Sequence, residues 1–122
     1  MESPQKDRLG LGRSGEEAAV RFLKQRGFKI VERGFRWLRG EIDIIAYDRA
    51  TLVFVEVKTR ADRTFGFPEE SVTPAKQSQI RKIAQGYLVR HRLEETPCRF
   101  DVISVTIEGD RHFTIRHLED AF

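Results

Sequence analysis

Between Ile42 and Val57 the chain is apolar at most positions, and the break Asp48-Arg49-Ala50-Thr51 divides it into two runs, 42–47 and 52–57. Both runs are rich in β-branched and aromatic residues, so the pattern predicts a hairpin. In the second run Val53, Val55 and Val57 share one face; the other carries Leu52 and Phe54 and then switches to Glu56 and Lys58. In the first run Ile42, Ile44 and Ala46 share one face and Ile45 and Tyr47 the other, so Asp43 interrupts a strand that is apolar on both sides, as central strands are. A loop with an even number of residues pairs Asp43 with Glu56 and Glu41 with Lys58 on one face; an odd loop separates them.

Segments on either side supply the rest of a domain. Residues 1–12 are polar and expected to be flexible, and Ser14-Gly15 opens a helix to about Arg26, with Gly27 as its stop. Its apolar residues centre near Ala19 and Leu23, which turns Glu16 inward and Glu17 to water. Residues 28–35 predict a strand in which Gly34 is a candidate bulge or close approach, and 61–71 a loop punctuated by Gly66 and Pro68. Phe65 and Phe67 in that loop are read as a plug over the core in preference to a base-stacking surface. Thr73-Pro74 starts a helix to about Arg92, and its apolar face (Ile80, Ile83, Ala84, Tyr87, Leu88) also carries Lys76. Residues 99–107, interrupted by Asp101, and 113–118 are the last strands. The order helix, three strands, helix, two strands predicts an α/β fold, a mixed central sheet with the helices packed on it, in one domain over 13–122.

Composition narrows the classes. A chain of 122 residues with 39% hydrophobic and 34% charged residues is a globular domain, without the roughly 20-residue apolar run of a membrane span or the apolar core of a signal peptide, and a cytoplasmic location is expected. The single cysteine, Cys98, excludes an internal disulfide and a cysteine-based zinc site, and is read as a small core residue. A net charge of +3 is mild, but arginines flank the hairpin on both sides, including Arg36, Arg39 and Arg60, and arginine forks onto phosphate. His91, His112 and His117 have no ligand spacing and no role is assigned to them.

Two carboxylates about 4 Å apart repel by roughly 4 kcal/mol at an effective dielectric of about 20, so Asp43 and Glu56 need a cationic neighbour. Lys58 and Arg60 supply it if the cluster is a structural ion-pair network. The alternative is a divalent ion held by Asp43, Glu56 and a strand carbonyl at Val57, with Lys58 beside it; Mg²⁺ takes few carboxylates, water and substrate phosphate. Lys76 in the first turn of its helix opposes the helix dipole, and either the site carboxylates, a bound phosphate or snorkelling to water offsets that cost. Asp101 is expected to pair with an arginine near Arg99 in preference to binding metal.

Asp43 followed after a hairpin by Glu56-Val57-Lys58 resembles the PD-(D/E)XK nuclease signature. The longer strings Gly40-Glu41-Ile42-Asp43 and Phe54-Val55-Glu56-Val57-Lys58-Thr59-Arg60 resemble the YraN family, which is similar in predicted fold to Holliday-junction resolvases. The resemblance implies a restriction-endonuclease-like αβββαβ core and a Mg²⁺- or Mn²⁺-dependent endonuclease acting on DNA, at branched or otherwise structured sites. Asp43 and Glu56 would then hold the ion, Lys58 would activate water, and Glu16, in the position of the family's Gly-Glu, would assist as a further acidic residue. Lys76, Arg36, Arg39 and Arg60 would grip phosphates, and a two-fold homodimer would match a four-way junction. The chain departs from the pattern at Gly34, where the family often has Asn nearby, and at Ile42, which replaces the signature proline. The competing functions are a nucleic-acid-binding module without catalysis and an interaction protein whose acidic cluster is only an ion-pair network.

Overall fold

A computed structural model describes residues 4–61, 72–109 and 112–122, with residues 4–12 by backbone alone. The elements are α1 (Pro4–Gln25), β1 (Lys29–Trp37), β2 (Gly40–Asp48), β3 (Thr51–Arg60), α2 (Pro74–Arg90), β4 (Cys98–Glu108) and β5 (His112–Leu118). They form a five-stranded mixed sheet in the order β1-β2-β3-β4-β5. Only β3 and β4, which α2 connects, run parallel; the other neighbours are antiparallel. This α/β arrangement is consistent with a restriction-endonuclease-like core. Among the described residues no helix is long and apolar enough to cross a membrane.

The alternation along β3 divides the core in two. Val53 and Val55 pack with Ile44, Ala46, Ile103 and Val105 under Ala19, Val20 and Leu23 of α1. Leu52 and Phe54 face the other way, with Ile45 and Val102 under Ile80, Ile83, Ala84, Tyr87 and Leu88 of α2. Tyr87 meets Phe35 and Phe54 edge-on, with ring centroids 5.1 and 5.9 Å apart. Glu56 and Lys58 continue the face that α2 covers, so the helix carrying Lys76 lies on the same side of the sheet as the charged end of β3.

The β2–β3 loop is the even one. Asp48 pairs with Thr51, leaving Arg49-Ala50 as a two-residue turn, and the register runs through Ile44 opposite Val55. The ladder ends there. Ile42, expected on the face of Ile44 and Ala46, packs in the α2 cluster instead, because β2 leaves β3 beyond Ile44 and its side chains no longer keep the ladder's alternation. Asp43 stands at the point of divergence.

Other boundaries differ from the pattern. The helix α1 begins at Pro4 and not at Ser14, and a proline at the first helical position loses no intrahelical hydrogen bond. Gly27 does take the left-handed conformation (φ 89°) just past the helix end. The register shift in β1 falls between Ile30 and Glu32, so Gly34 is not a bulge but the close approach, in the left-handed region (φ 63°) with Glu41 Oε1 3.1 Å from where a Cβ would stand. Cys98 is exposed and not a core residue, because it begins β4 at the rim of the sheet. The expected loop with Phe65 and Phe67 lies outside the described residues, except for Ala61.

Gly15 is the closest approach of α1 to the sheet. A Cβ there would overlap the Thr59 side chain on β3, so only glycine lets the helix lie at this height, with Glu16 the next residue. Gly15→Ala gains about 1 kcal/mol of helix propensity but costs about 1–3 kcal/mol of overpacking. The expected net result is a lower Tm by thermal unfolding, recovered in part when Thr59→Ala removes the two nearest atoms; an unchanged Tm in the single variant would contradict the close approach.

Candidate functional site

Where β2 and β3 part, the backbone N–H of Val57 faces a gap, and Asp43 fills it: Val57 N donates to Asp43 Oδ2 at 2.8 Å. A side-chain carboxylate takes the place of a ladder carbonyl. Glu56 is buried (6% exposed) and accepts two lysines on a single oxygen, with Lys58 Nζ at 3.4 Å and Lys76 Nζ at 3.3 Å from Oε1. Lys76 reaches it because α2 begins at Pro74 under the Thr73 cap, which sets the first turn of the helix against the end of β3. The cost of a lysine at the positive end of a helix dipole is therefore offset by a site carboxylate.

The two carboxylates are treated differently by their surroundings. Burial, followed by the charge of Glu56, pushes Asp43 from the usual 3.8 up to about 7, against the opposing pull of the Val57 N–H, and Glu16 and Glu41 add to the rise. Among the described residues Asp43 makes no ion pair, whereas Glu56 has two. Lys58 is held below the usual lysine range by burial and by its hydrogen-bonded neighbour Lys76, with Glu56 opposing. Lys76 moves the other way, raised by its hydrogen bond with Lys58 and by Glu56 and Asp43. Of the two amines that meet on Glu56, Lys58 is the one whose charged form is disfavoured, chiefly by burial.

Glu16 comes to this site from the opposite face of the sheet. It faces inward and Glu17 outward, as the helical pattern predicts. Burial raises Glu16, and Arg33, with its Nε 3.7 Å from Glu16 Oε1, opposes the rise, while Glu41 and Glu17 add to it. Arg33 Nη2 donates to Glu17 Oε1 at 2.7 Å. Glu16 is close enough for Asp43 to sense its charge, but among the described residues no three of the Asp, Glu, His and Cys side chains converge as a ready metal cage.

The remaining predicted residues are spread more widely. Arg60 ends β3, while Arg36 and Arg39 are exposed at the β1–β2 turn, away from the carboxylates. Lys76, not Arg60, shares the neutralisation of Glu56 with Lys58. Asp101 belongs to a separate buried network. Arg99 itself donates to both its oxygens (Nε at 3.0 Å, Nη2 at 3.3 Å), and Asp120 N donates at 3.0 Å. His117, to which the sequence assigned no role, lies with Nε2 2.7 Å from Asp101 Oδ2 and with Nδ1 3.2 Å from Arg26 Nη1. Arginine can only donate, so Nε2 carries the proton that Asp101 accepts. Burial would raise Asp101, but these bonds hold it below its ordinary value. The network ties α1, β4 and β5 together, and no spacing in the sequence signals it because its members meet only when the sheet forms.

The raised Asp43 makes a signed prediction for metal-free protein. Between 3.8 and about 7 the folded chain holds a proton that the unfolded chain releases, so this group's contribution to stability falls as pH rises through that window and its penalty is full above it. In chelator, Asp43→Asn should therefore raise the Tm at pH 8 by roughly 5 °C, equivalent to about 1 kcal/mol, and the gain should shrink towards pH 4. A lower Tm for the variant at pH 8 would mean that the carboxylate is compensated after all.

The family model described as "Uncharacterised protein family UPF0102" matches residues 15–105. Over 117 residues the chain is 47% identical to the UPF0102 protein of Chlorobium phaeobacteroides (strain BS1), covering 92% of this chain and 93% of that one. It is 46% identical over 112 residues to that of Symbiobacterium thermophilum, covering 92% and 95%. With the UPF0102 protein of Geotalea daltonii it shares 49% over 116 residues, covering 95% and 91%. On this similarity through almost its whole length, the chain belongs to the uncharacterised protein family UPF0102, the YraN family that its hairpin strings resemble.

Proposed function

We propose that the chain is a Mg²⁺- or Mn²⁺-dependent endonuclease of PD-(D/E)XK type that hydrolyses DNA phosphodiesters at branched or otherwise structured sites. The observation that carries this reading is the half-buried Asp43 carboxylate, which among the described residues has no ion-pair partner, beside Glu56, whose next neighbour on the same face of β3 is a lysine with a depressed pKa. Asp43, Glu56 and the Val57 carbonyl would hold the ion, which when bound stabilises charge on the phosphate under attack and lowers the barrier to forming hydroxide. Lys58, more readily neutral than an exposed lysine, is placed to take a proton from the attacking water or to orient it. Lys76 keeps its charge beside Lys58 and meets the phosphate's negative charge. Glu16 adds anionic charge that Asp43 senses, reinforcing the affinity of the site for a cation. Arg36, Arg39 and Arg60 supply phosphate contacts beyond it.

The double pairing of Glu56 is what an ion-pair network without catalysis would also contain. Asp43 separates the two readings, because such a network has no reason to leave a half-buried carboxylate without a cationic partner among the described residues. Wild type, Asp43→Asn and Lys58→Ala should be assayed on a four-way junction, a flap, plain duplex and single-stranded DNA, with and without Mg²⁺ or Mn²⁺. The expected results are metal-dependent cutting of a branched substrate, a loss of roughly 10²-fold or more in Lys58→Ala with binding largely kept, and binding that weakens steeply with salt. Mg²⁺ should raise the Tm of wild type by mass action and leave Asp43→Asn unmoved. Tight, salt-sensitive binding without cutting under any condition would replace the enzyme with a non-catalytic nucleic-acid module.

A further inference from the structure

The two-residue turn between β1 and β2 is built against its own backbone. Trp37 pairs with Gly40, and the two residues between them, Leu38 and Arg39, both lie in the left-handed region (φ 51° and 60°). Hairpin turns of this kind favour Asn-Gly, which reaches positive φ at little steric cost; Leu and Arg do so against the clash of Cβ with the carbonyl. Strain of this sort is retained where the side chains it displays have a use.

What the turn displays is apolar and cationic together. Leu38 is 64% exposed and Trp37 37% exposed. The indole lies on α2 where Gly86 leaves room for it, since a Cβ at Gly86 would come within 2.6 Å of Trp37 Nε1, and the Arg90 guanidinium sits 5.8 Å from the ring centroid. Arg36, Arg39 and Glu41 border an open cavity of about 380 Å³ beside the ring. An aromatic platform with arginines around it suits a nucleic-acid strand, whose bases stack while its phosphates meet the guanidinium groups. Three arginines also oppose a second copy of the same positive patch. Gly86 is ten residues along α2 from Lys76, or about 15 Å at the helical rise, and on the same face of the sheet, so one strand can span both within a few nucleotides.

We propose that the Trp37–Leu38–Arg39 turn is a binding site for single-stranded nucleic acid, stacking an unpaired base on Trp37 and Leu38 with Arg36, Arg39 and Arg90 on its phosphates. Resting on the nucleic-acid reading above, it assigns the single-stranded arm of a branched substrate to this end of α2.

Trp37 is the one tryptophan of the chain, so its emission reports on the site directly. In chelator, where no cutting interferes, the full chain is titrated with oligo(dT), a flap with a single-stranded arm and a blunt duplex, with binding followed independently by anisotropy of labelled DNA. Oligo(dT) and the flap should quench the emission strongly and the duplex weakly. Trp37→Ala should weaken binding of the single strand roughly tenfold. The double variant Leu38→Asn/Arg39→Gly installs the preferred turn, so it should melt higher than wild type and still bind the single strand roughly tenfold more weakly, which excludes misfolding as the cause. Saturated binding with silent Trp37 emission, or a double variant that binds as well as wild type, overturns the proposal. So does a concentration-dependent emission shift without DNA, which would make the patch a contact between copies. Cutting assays in Mn²⁺ keep the two readings apart: a silent Trp37 with intact cutting removes this site alone, whereas quenching without cutting by wild type supports the site and removes the nuclease.

Discussion

A half-buried and a buried carboxylate on adjoining strands, Asp43 and Glu56, are neutralised unequally, and the charged end of the sheet is arranged around that inequality. Glu56 has both lysines within 3.4 Å, while among the described residues Asp43 has a peptide N–H at 2.8 Å and no cation. A peptide N–H lowers the cost of burying a carboxylate but carries no net charge, so the electrostatic deficit stays at Asp43. Folding tolerates it because the neighbouring residues of the same hairpin, Ile42, Ile44, Ile45, Val53, Phe54 and Val55, are buried and apolar. In the function proposed above, this deficit is what a cation or a proton would relieve.

Each part of the scaffold contributes a specific position to this end. The even turn sets the β2–β3 register, and the divergence of β2 beyond Ile44 opens the gap that Asp43 enters. The helix α2 brings Lys76 down on the same face because Thr73 caps it and Pro74 starts it there. The helix α1 approaches from the other face, and only the missing side chain at Gly15 lets it come near enough for Glu16 to be sensed at Asp43. On the far side of β4 the Asp101, Arg99 and His117 network contrasts with the site: its buried carboxylate is fully bonded.

Much of this was legible because period-2 alternation is strict wherever a strand is buried. The hairpin, the two-faced character of β3 and the apolar face of α2 all follow from that periodicity, as does the inward turn of Glu16 from helical spacing, whereas the parity of the hairpin loop stayed open until the Asp48–Thr51 pair decided it. What escaped depends on tertiary geometry. Ile42 changed faces because a ladder ended, which no alternation rule foresees. His117 joined Asp101 across β4 and β5, and Cys98 proved exposed because the rim of the sheet, not its residue type, decides burial. The residues Leu38-Arg39 contain none of the glycine or asparagine that marks a left-handed turn, so the sequence offered no sign of one.

The central claim is that Asp43 is an uncompensated carboxylate awaiting a cation. Carbon-detected NMR of the Asp43 side-chain carboxyl, titrated over pH in chelator and again in Mg²⁺, measures this directly. The account predicts a midpoint near 7 without metal, which falls towards the ordinary aspartate range when Mg²⁺ is added, as ion and proton compete for the same oxygens. A midpoint near 3.8 in chelator, unmoved by Mg²⁺, would contradict it.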